Sequence, residues 1–238
     1  MTALNMMIQR RARAGYIISD GATTAPDGTL LGNSPKIIMS AGRFPWAAGV
    51  TGSVPPASIH AELGKANPVS LKQLLCRLPG AMRSAIQRTA RDTSKDPADL
   101  DLALVGVAWD FDAKAPSGFI IQSRAGIITP DAEPFVWYET DWNLAGGEIG
   151  SDAAAQLGRA CDLTDPKSFD PERDGLALIE RQRRAAITPT TPGFDTSCRH
   201  RIGGDIDMTV VTRTGVQVWC IHKFPDVVGE PIRLDEAQ

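Results

Sequence analysis

The sequence predicts an α+β protein in which strands and helices form separate layers. Short apolar runs and longer amphipathic stretches come in groups: four strands, a helix, two or three strands, two helices and two strands. This grouping favours a layered α+β sandwich over the strict strand–helix alternation of parallel sheets. The chain has 238 residues, with no internal repeat and no linker-like segment. We therefore expect residues 1–238 to form a single domain.

The first fifty residues predict four short strands. Leu4 to Gln9 is apolar, and a second apolar run from Tyr16 to Ser19 follows the polar turn Arg10 to Gly15, which indicates a β-hairpin. The next segment is rich in turn-forming residues, and we expect turns at Asp27-Gly28 and Gly32-Asn33. Two further strands complete the group, Lys36 to Met39 and Trp46 to Thr51.

A helix is predicted from Ser70 to about Arg91. Its apolar residues recur at spacings of three and four, as an amphipathic helix requires. They are Leu71, Leu74, Leu75, Leu78, Met82 and Ile86. Pro79-Gly80 should kink or split this helix. The segment before it contains Pro55, Pro56 and Pro68 and is predicted to be a loop.

The second half of the chain predicts further strands and two helices. The strands are expected at Leu102 to Trp109, Gly118 to Gln122, Phe135 to Tyr138, Ile206 to Thr212 and Val216 to His222. One helix is expected after Gly146-Gly147, in the alanine-rich stretch that includes Ala153, Ala154, Ala155 and Ala160. The other begins near Pro171, with Asp170 as its N-cap.

Composition excludes several classes of function. The net charge is −3 and the isoelectric point is about 5.6, which argues against nucleic acid as a partner, and the basic cluster Arg10, Arg11 and Arg13 is expected to be a solvated turn. No stretch reaches the ~18 apolar residues of a membrane helix, and the start of the chain lacks the apolar run of a signal peptide. These features predict a soluble, cytoplasmic protein that does not bind membranes.

The cysteines and histidines do not predict a metal site. The four cysteines show no CxxC spacing and are expected to be reduced, packed thiols. They are Cys76, Cys161, Cys198 and Cys220. Cys198 and His200 form the nearest cysteine–histidine pair, while His60 and His222 lie far from it in sequence. We expect neither a metal nor an organic cofactor.

Four segments together resemble a known family. GYIISDGATTAPDGTLLGNSPKIIM is similar to the opening of proteasome β-subunits and of the bacterial HslV-type peptidases, in which an aspartate ends one strand and a lysine begins another. Here Asp20 and Lys36 are 16 residues apart, the separation expected of that pair. The following AAGVTGS resembles the strand that lines the family's substrate cleft, and two later segments resemble its central and C-terminal hairpins.

The resemblance implies a fold and a site. The fold is a four-layer αββα sandwich of two antiparallel sheets flanked by helices, as in N-terminal-nucleophile hydrolases. The nucleophile would be the hydroxyl of Thr2 after removal of Met1, with its own α-amine as base. Lys36 would stabilise developing negative charge, and Asp20 would hold Lys36 in place. The oxyanion donor is expected to be the N–H of Gly49 or one neighbouring it, and Gly49 and Thr51 are expected to line the substrate cleft.

The sequence also departs from the family pattern. The first hairpin turn is about two residues longer than is usual for the family. At the position of a supporting serine the sequence has Glu148, although a small gap would bring Ser151 there instead. The supporting aspartate and serine that precede a double glycine in the family correspond to Arg199 and Ile202. Arginine cannot accept a hydrogen bond as aspartate does.

Two classes of function follow from this resemblance. The first is an N-terminal threonine hydrolase, a peptidase or amidase that acts on a peptide or amide substrate within a ring or other homo-oligomer. The second is a catalytically inactive subunit that serves as an assembly or binding module. The chain has no phosphate-binding loop of its own, so any ATPase partner would be a separate protein.

Overall fold

The computed structural model describes residues 3–25, 27–145, 162–184 and 201–234. Over these residues the chain is α+β, and every strand pairing is antiparallel. The strands are β1 (Leu4–Gln9), β2 (Ala14–Asp20), β3 (Ala22–Thr24), β4 (Leu30–Asn33), β5 (Ile37–Met39), β6 (Trp46–Gly52), β7 (Leu102–Asp110), β8 (Ala115–Gln122), β9 (Trp137–Glu139), β10 (Trp142–Ala145), β11 (Asp205–Thr212) and β12 (Gly215–Lys223). The helices are α1 (Pro56–Ala66), α2 (Leu71–Thr93) and α3 (Pro171–Arg184).

The strands of the described residues form two five-stranded sheets and one small sheet. The first large sheet has the order β10-β1-β2-β11-β12, and the second has the order β5-β6-β7-β8-β9. The small sheet pairs β3 with β4. In the first hairpin Leu4 lies opposite Ser19 and Gln9 lies opposite Ala14. The N-terminal strand β1 is therefore an inner strand of its sheet, with β2 and β10 as neighbours.

The two large sheets pack against each other through a shared apolar core. Successive side chains of a strand point to opposite faces, and Leu4, Met6 and Ile8 of β1 contribute to this core. From the second sheet, Val105 and Val107 of β7 meet them. The alternation in β1 thus directs its even-numbered residues toward the second sheet.

Helices cover the outer faces of the large sheets. Leu74, Leu78 and Met82 of α2 belong to the core on the outer face of the second sheet. Leu178 and Ile179 of α3 pack on the outer face of the first sheet. Burial of these apolar faces supplies the main favourable term for the fold.

The region around the first helices corrects two predictions. The proline-rich segment was predicted to be a loop, but it contains α1, which begins at Pro56. Proline is tolerated in a first helical turn because the N–H it lacks would have no partner there. A split of α2 at Pro79-Gly80, one of the two predicted outcomes, is also wrong, since the helix is continuous for 23 residues. One buried apolar face runs along its whole length.

Turn chemistry was interpreted correctly at one position and wrongly at another. The turn at Asp27-Gly28 is confirmed, and Gly28 has a φ of 85° that only glycine adopts readily. The turn at Gly32-Asn33 is wrong because both residues lie in β4. The small β3–β4 sheet was not predicted. The strand β10 was not predicted either, whereas the strands that were predicted and the helix at Pro171 are confirmed to within a few residues at each end.

Further predictions have mixed outcomes. Cys76 and Cys220 are exposed free thiols rather than packed ones. Cys161, Cys198 and the alanine-rich helix after Gly147 lie outside the described residues. Among the helices that the structure describes, none has both the length and the apolar character needed to cross a membrane.

Candidate active site

A buried carboxylate lies at the end of the second strand. Asp20 is the last residue of β2, and its side chain is fully buried. It lies beside the start of β1, because the backbone N–H of Asp20 donates to Ala3 O at 3.2 Å. Ala3 N returns a hydrogen bond of 2.9 Å to Asp20 Oδ1. The hairpin therefore brings the first described residue directly against this carboxylate.

Lys36 supplies the positive charge. It immediately precedes β5, and its carbonyl oxygen accepts a 2.8 Å hydrogen bond from Val50 N of β6. Its ammonium Nζ lies 2.8 Å from Asp20 Oδ1. The Lys36 side chain is only 9% exposed. Two buried opposite charges in contact satisfy each other, whereas either one alone would be costly.

A third donor completes the surroundings of the carboxylate. Gly203 N, two residues before β11, donates to Asp20 Oδ2 at 3.3 Å. Asp20 thus accepts from one side-chain ammonium and two backbone N–H groups. Three donors from Ala3, Lys36 and Gly203 fix the orientation of the carboxylate within the fold.

A cleft opens beside Lys36. Its volume is about 340 Å³, and it lies between the small sheet and the end of β6. Thr23 and Ser34 contribute to one wall, while Val50 and Gly52 contribute to the other. Lys36 is the only ionisable residue among the described residues that line it.

Gly49 and Thr51 have a different relation to this cleft. Neither lines it, although both lie in β6. A Cβ on Gly49 would overlap the Leu4 side chain, so glycine here allows the two large sheets to approach closely. Val50 N–H points to Lys36, and successive N–H groups of a strand alternate in direction. Gly49 and Thr51 therefore direct their N–H groups toward β7, and Gly52 directs its N–H toward the Lys36 side.

Solved structures share this architecture. Anbu (ancestral beta-subunit) from Yersinia bercovieri matches with a TM-score of 0.59 and 14% identity, over 93% of this chain and 86% of that chain. The Anbu (Gly-1) mutant from Hyphomicrobium sp. strain MC1 matches with a TM-score of 0.58 and 12% identity, over 92% and 86%. Anbu from the same strain matches with a TM-score of 0.54 and 13% identity, over 93% of this chain and 87% of that chain.

The chain has an Anbu-like fold.

This finding corrects the family named from the sequence. The resemblance pointed to proteasome β-subunits and HslV-type peptidases, whereas these three similar solved structures are Anbu proteins at 12–14% identity. No protein-family model matches the chain, and no curated protein is significantly similar to it. The Anbu-like fold is a distant proteasome-like fold, and identity this low establishes the fold alone.

Several predicted site residues lie outside the described residues. These are Thr2, Glu148, Ser151 and Arg199, together with the Cys198–His200 pair. Of the remaining candidates, the Anbu-like fold brings Asp20 and Lys36 together, and it places Gly49 and Thr51 on the neighbouring strand β6. Ile202 is buried in the apolar core beneath α3.

Sequence reasoning missed the Gly203 donor. The double glycine Gly203-Gly204 was noticed only as a marker for the residues before it. A Cβ on Gly203 would overlap Asp226 and Arg183, so a side chain at this position would have to displace these two charged groups. The double glycine is visible in the sequence, but no local pattern indicates that the Gly203 N–H lies against a carboxylate 183 residues earlier in the chain.

Proposed function

We propose that this protein is an N-terminal threonine hydrolase that cleaves peptide or amide bonds by acyl transfer to Thr2. The observation that carries the proposal is the shared acceptor Asp20 Oδ1, which binds both Ala3 N and Lys36 Nζ. Thr2 is bonded covalently to Ala3 N. Two hydrogen bonds, of 2.9 and 2.8 Å, therefore separate the Thr2–Ala3 peptide bond from a buried ammonium.

The chemistry requires that Met1 is removed. The α-amine of Thr2, with an ordinary pKa of ~7.7–8.0, is partly unprotonated near neutral pH and can take the proton from the Thr2 hydroxyl. The oxygen then attacks the substrate carbonyl carbon, and the amine of the substrate departs with a proton. The acyl group remains on Thr2 as an ester. Water hydrolyses this ester, releases the acid and regenerates the hydroxyl.

Lys36 favours each charged step of this scheme. Within the part of the chain that the structure describes, Asp20 is the hydrogen-bonding partner of Lys36 Nζ, and an ammonium has three N–H donors. The other donors can bind the threonine oxygen as it loses its proton. In a buried site such an interaction is much stronger than in water, because the local dielectric constant is low.

The oxyanion donor is expected on β6. The prediction from sequence was an N–H at or near Gly49, with Thr51 in the cleft. Strand alternation favours Gly52 in this proposal, since its N–H faces the side of β6 on which Lys36 lies. Gly52 has a φ of 118°, and it lines the cleft. A substrate carbonyl between Gly52 N and Lys36 Nζ would find donors on two sides.

The wider architecture is part of the same proposal. We infer that residues 1–238 form one domain and that its layers are helix, sheet, sheet and helix, as expected from the sequence. The apolar clusters between the sheets and beneath the helices support this arrangement. Self-association into a homo-oligomer is also proposed, because one similar solved structure is described as an ancestral beta-subunit. We also propose that any ATPase partner is a separate protein, because the chain has no phosphate-binding loop of the GxxxxGK(S/T) type.

Hydrolysis by matched variants tests the activity. A panel of fluorogenic peptides would be assayed with the parent protein, Thr2→Ala and Thr2→Ser. We expect Thr2→Ala to lose turnover and Thr2→Ser to retain part of it, because serine keeps the hydroxyl. Equal turnover by the parent and Thr2→Ala on every cleaved peptide would show that Thr2 is not the nucleophile.

A further inference from the structure

The Gly203 turn, residues 202–204, is held by hydrogen bonds through five of its backbone groups. Gly203 N donates to Asp20 Oδ2 at 3.3 Å, and Gly203 O accepts from Ala22 N at 3.1 Å. Gly204 O accepts from Phe224 N at 3.0 Å. The carbonyl of Ile202 and the N–H of Gly204 are both bound by a single buried ion pair.

That ion pair joins α3 to the segment after β12. Arg183 Nη2 lies 2.6 Å from Asp226 Oδ1, and Arg183 Nη1 lies 2.7 Å from Asp226 Oδ2. The Arg183 and Asp226 side chains are 7% and 4% exposed. The two parallel contacts fix the plane of the guanidinium, and the Phe224 ring stacks on it at 4.2 Å from its centroid.

Both members of the ion pair form a hydrogen bond with the Gly203 turn. Arg183 Nη1 donates to Ile202 O at 2.9 Å, and Gly204 N donates to Asp226 Oδ2 at 2.9 Å. Both charged groups also occupy the space that a Cβ on Gly203 would need. The backbone of Gly203 is thus pinned on both sides and packed against the pair itself.

We propose that Arg183 and Asp226 are positioning residues that hold the Gly203 N–H against the Asp20 carboxylate. Through Asp20 they set the position of Lys36, although neither residue of the pair touches the cleft beside Lys36. This inference rests on the proposed hydrolase function for its effect on turnover. The positioning itself is a property of the fold and can be measured without any substrate.

A buried ion pair is better suited to fixing geometry than to adding stability. Removing two charges from water costs about as much as their attraction returns, and replacing such a pair by apolar residues of similar size is often neutral. Hydrogen bonds from a planar guanidinium, by contrast, have strict directions. The Arg183 and Asp226 bonds to the Gly203 turn therefore specify where its N–H groups point.

Three variants separate geometry from stability. Arg183→Lys keeps the charge but loses the planar guanidinium. The double variant Arg183→Met with Asp226→Leu replaces the ion pair by apolar side chains of similar size. It leaves no unpaired charge buried, so it should fold even where Arg183→Lys does not. Asp141→Asn is the matched control, because it breaks the exposed pair Arg10–Asp141 at the far end of β1. The first readout is the hydrogen-exchange rate of the Gly203 amide, measured by NMR. The second is the split between kcat and KM on a cleaved peptide.

The expected results distinguish the two proposals. In Arg183→Lys and in the double variant we expect the Gly203 amide to exchange about tenfold faster than in the parent. We also expect kcat to fall about 10–100-fold with KM nearly unchanged, as for other residues that support a catalytic group. Asp141→Asn should change neither quantity. Unchanged Gly203 exchange in a folded variant overturns the positioning role, whatever the activity. Faster exchange in a protein that cleaves no peptide supports it and counts against the hydrolase proposal alone.

Discussion

Lys36 Nζ lies 2.8 Å from Asp20 Oδ1, and neither side chain exposes more than a tenth of its surface. A buried ion pair of this kind is expensive to build and is not needed to hold two strands together. It lies beside the start of β1, because Ala3 N donates to the same oxygen. The pair therefore places an ammonium next to the beginning of the described chain, which is the arrangement that an N-terminal nucleophile requires.

Removal of Lys36 should be costly in a specific way. In Lys36→Met the Asp20 carboxylate stays buried without its counter-ion, and we expect the free energy of unfolding to fall by about 3–5 kcal/mol. Combining Lys36→Met with Asp20→Asn removes the uncompensated charge, so the double variant should be more stable than Lys36→Met alone. Urea unfolding of the parent, both single variants and the double variant measures this coupling.

An exposed pair is the control for this cycle. Arg10→Met breaks the Arg10–Asp141 contact at 2.6 Å, but both side chains are more than two-fifths exposed. The loss there should stay below ~1 kcal/mol. Additive effects of the Lys36 and Asp20 changes would mean that the two charges do not depend on each other, contrary to the geometry.

Gly49 allows close packing of the two large sheets, and its replacement is predicted to destabilise the protein. In Gly49→Ala the new methyl group would overlap Leu4, and the two large sheets would have to separate or Leu4 would have to move. Overpacking of this kind costs about 1–3 kcal/mol, which a shift of the urea midpoint measures. Gly64→Ala is the control, because nothing lies within 4 Å of that position in α1, and alanine should stabilise the helix by about 0.5–1 kcal/mol. A Gly49→Ala variant as stable as the parent would show that β1 does not pack this closely on β6.

The amide pair between β1 and α3 should show strong coupling. Asn5 Nδ2 donates to Gln182 Oε1 at 2.7 Å, and Gln182 Nε2 donates to Asn5 Oδ1 at 2.8 Å, with both side chains buried. Gln182→Leu strands the Asn5 amide and should cost about 1–3 kcal/mol. Adding Asn5→Leu removes the stranded group, so the double variant should recover part of that loss. The Tm of the parent, both single variants and the double variant measures this coupling. A double variant with a Tm below that of both single variants would contradict the prediction.

Asp207 gives a pH-dependent prediction. Burial, together with the negative charge of Asp205, raises the pKa of the Asp207 carboxyl above its ordinary value of 3.8, and Lys223 opposes this in part. The folded protein therefore binds this proton more tightly than the unfolded chain does. The contribution of the neutral Asp207 carboxyl to the free energy of unfolding is therefore fully present below pH ~3.8. It is lost as the pH rises through the pKa of Asp207 in the folded protein.

Asp207→Asn tests the sign of this effect. Since Asp207 is partly exposed, the gain in Tm at pH 7 should be small, below the ~2–4 °C that 1 kcal/mol produces in a chain of this size. At pH 3 the parent and the variant should melt together. A Tm that falls at pH 7 on substitution would mean that attraction to Lys223 outweighs burial.

Local patterns in the sequence were sufficient to predict much of the fold. β7 is a continuous apolar run from Leu102 to Trp109, and β1 is mostly apolar. The Asp170 carboxylate caps α3 by accepting from Glu172 N at 3.0 Å. The pairing of Asp20 with Lys36 was implied by the family resemblance and not by a local pattern. By contrast, α1 was missed because Pro56 was taken as a loop residue. The β3–β4 sheet was missed because its strands are short and rich in turn formers.

The supports of the site could not be predicted, because they depend on contacts across the whole chain. Gly203 meets Asp20 only after β11 has paired with β2, and Asp226 meets Arg183 only after α3 has packed on the first sheet. No local pattern contains such pairings. The role of the Gly203 turn therefore appears only in three dimensions.

The mass of the N-terminal peptide after reaction with a peptidyl β-lactone tests the central claim most directly. Ring opening of the lactone acylates a hydroxyl without loss of atoms, so the adduct adds the full mass of the reagent. We predict an N-terminal peptide that begins at Thr2 and carries one such adduct, and no adduct in Lys36→Met. A peptide that still begins with Met1, or one that begins at Thr2 and remains unmodified while the lactone is consumed elsewhere on the protein, would contradict the proposal.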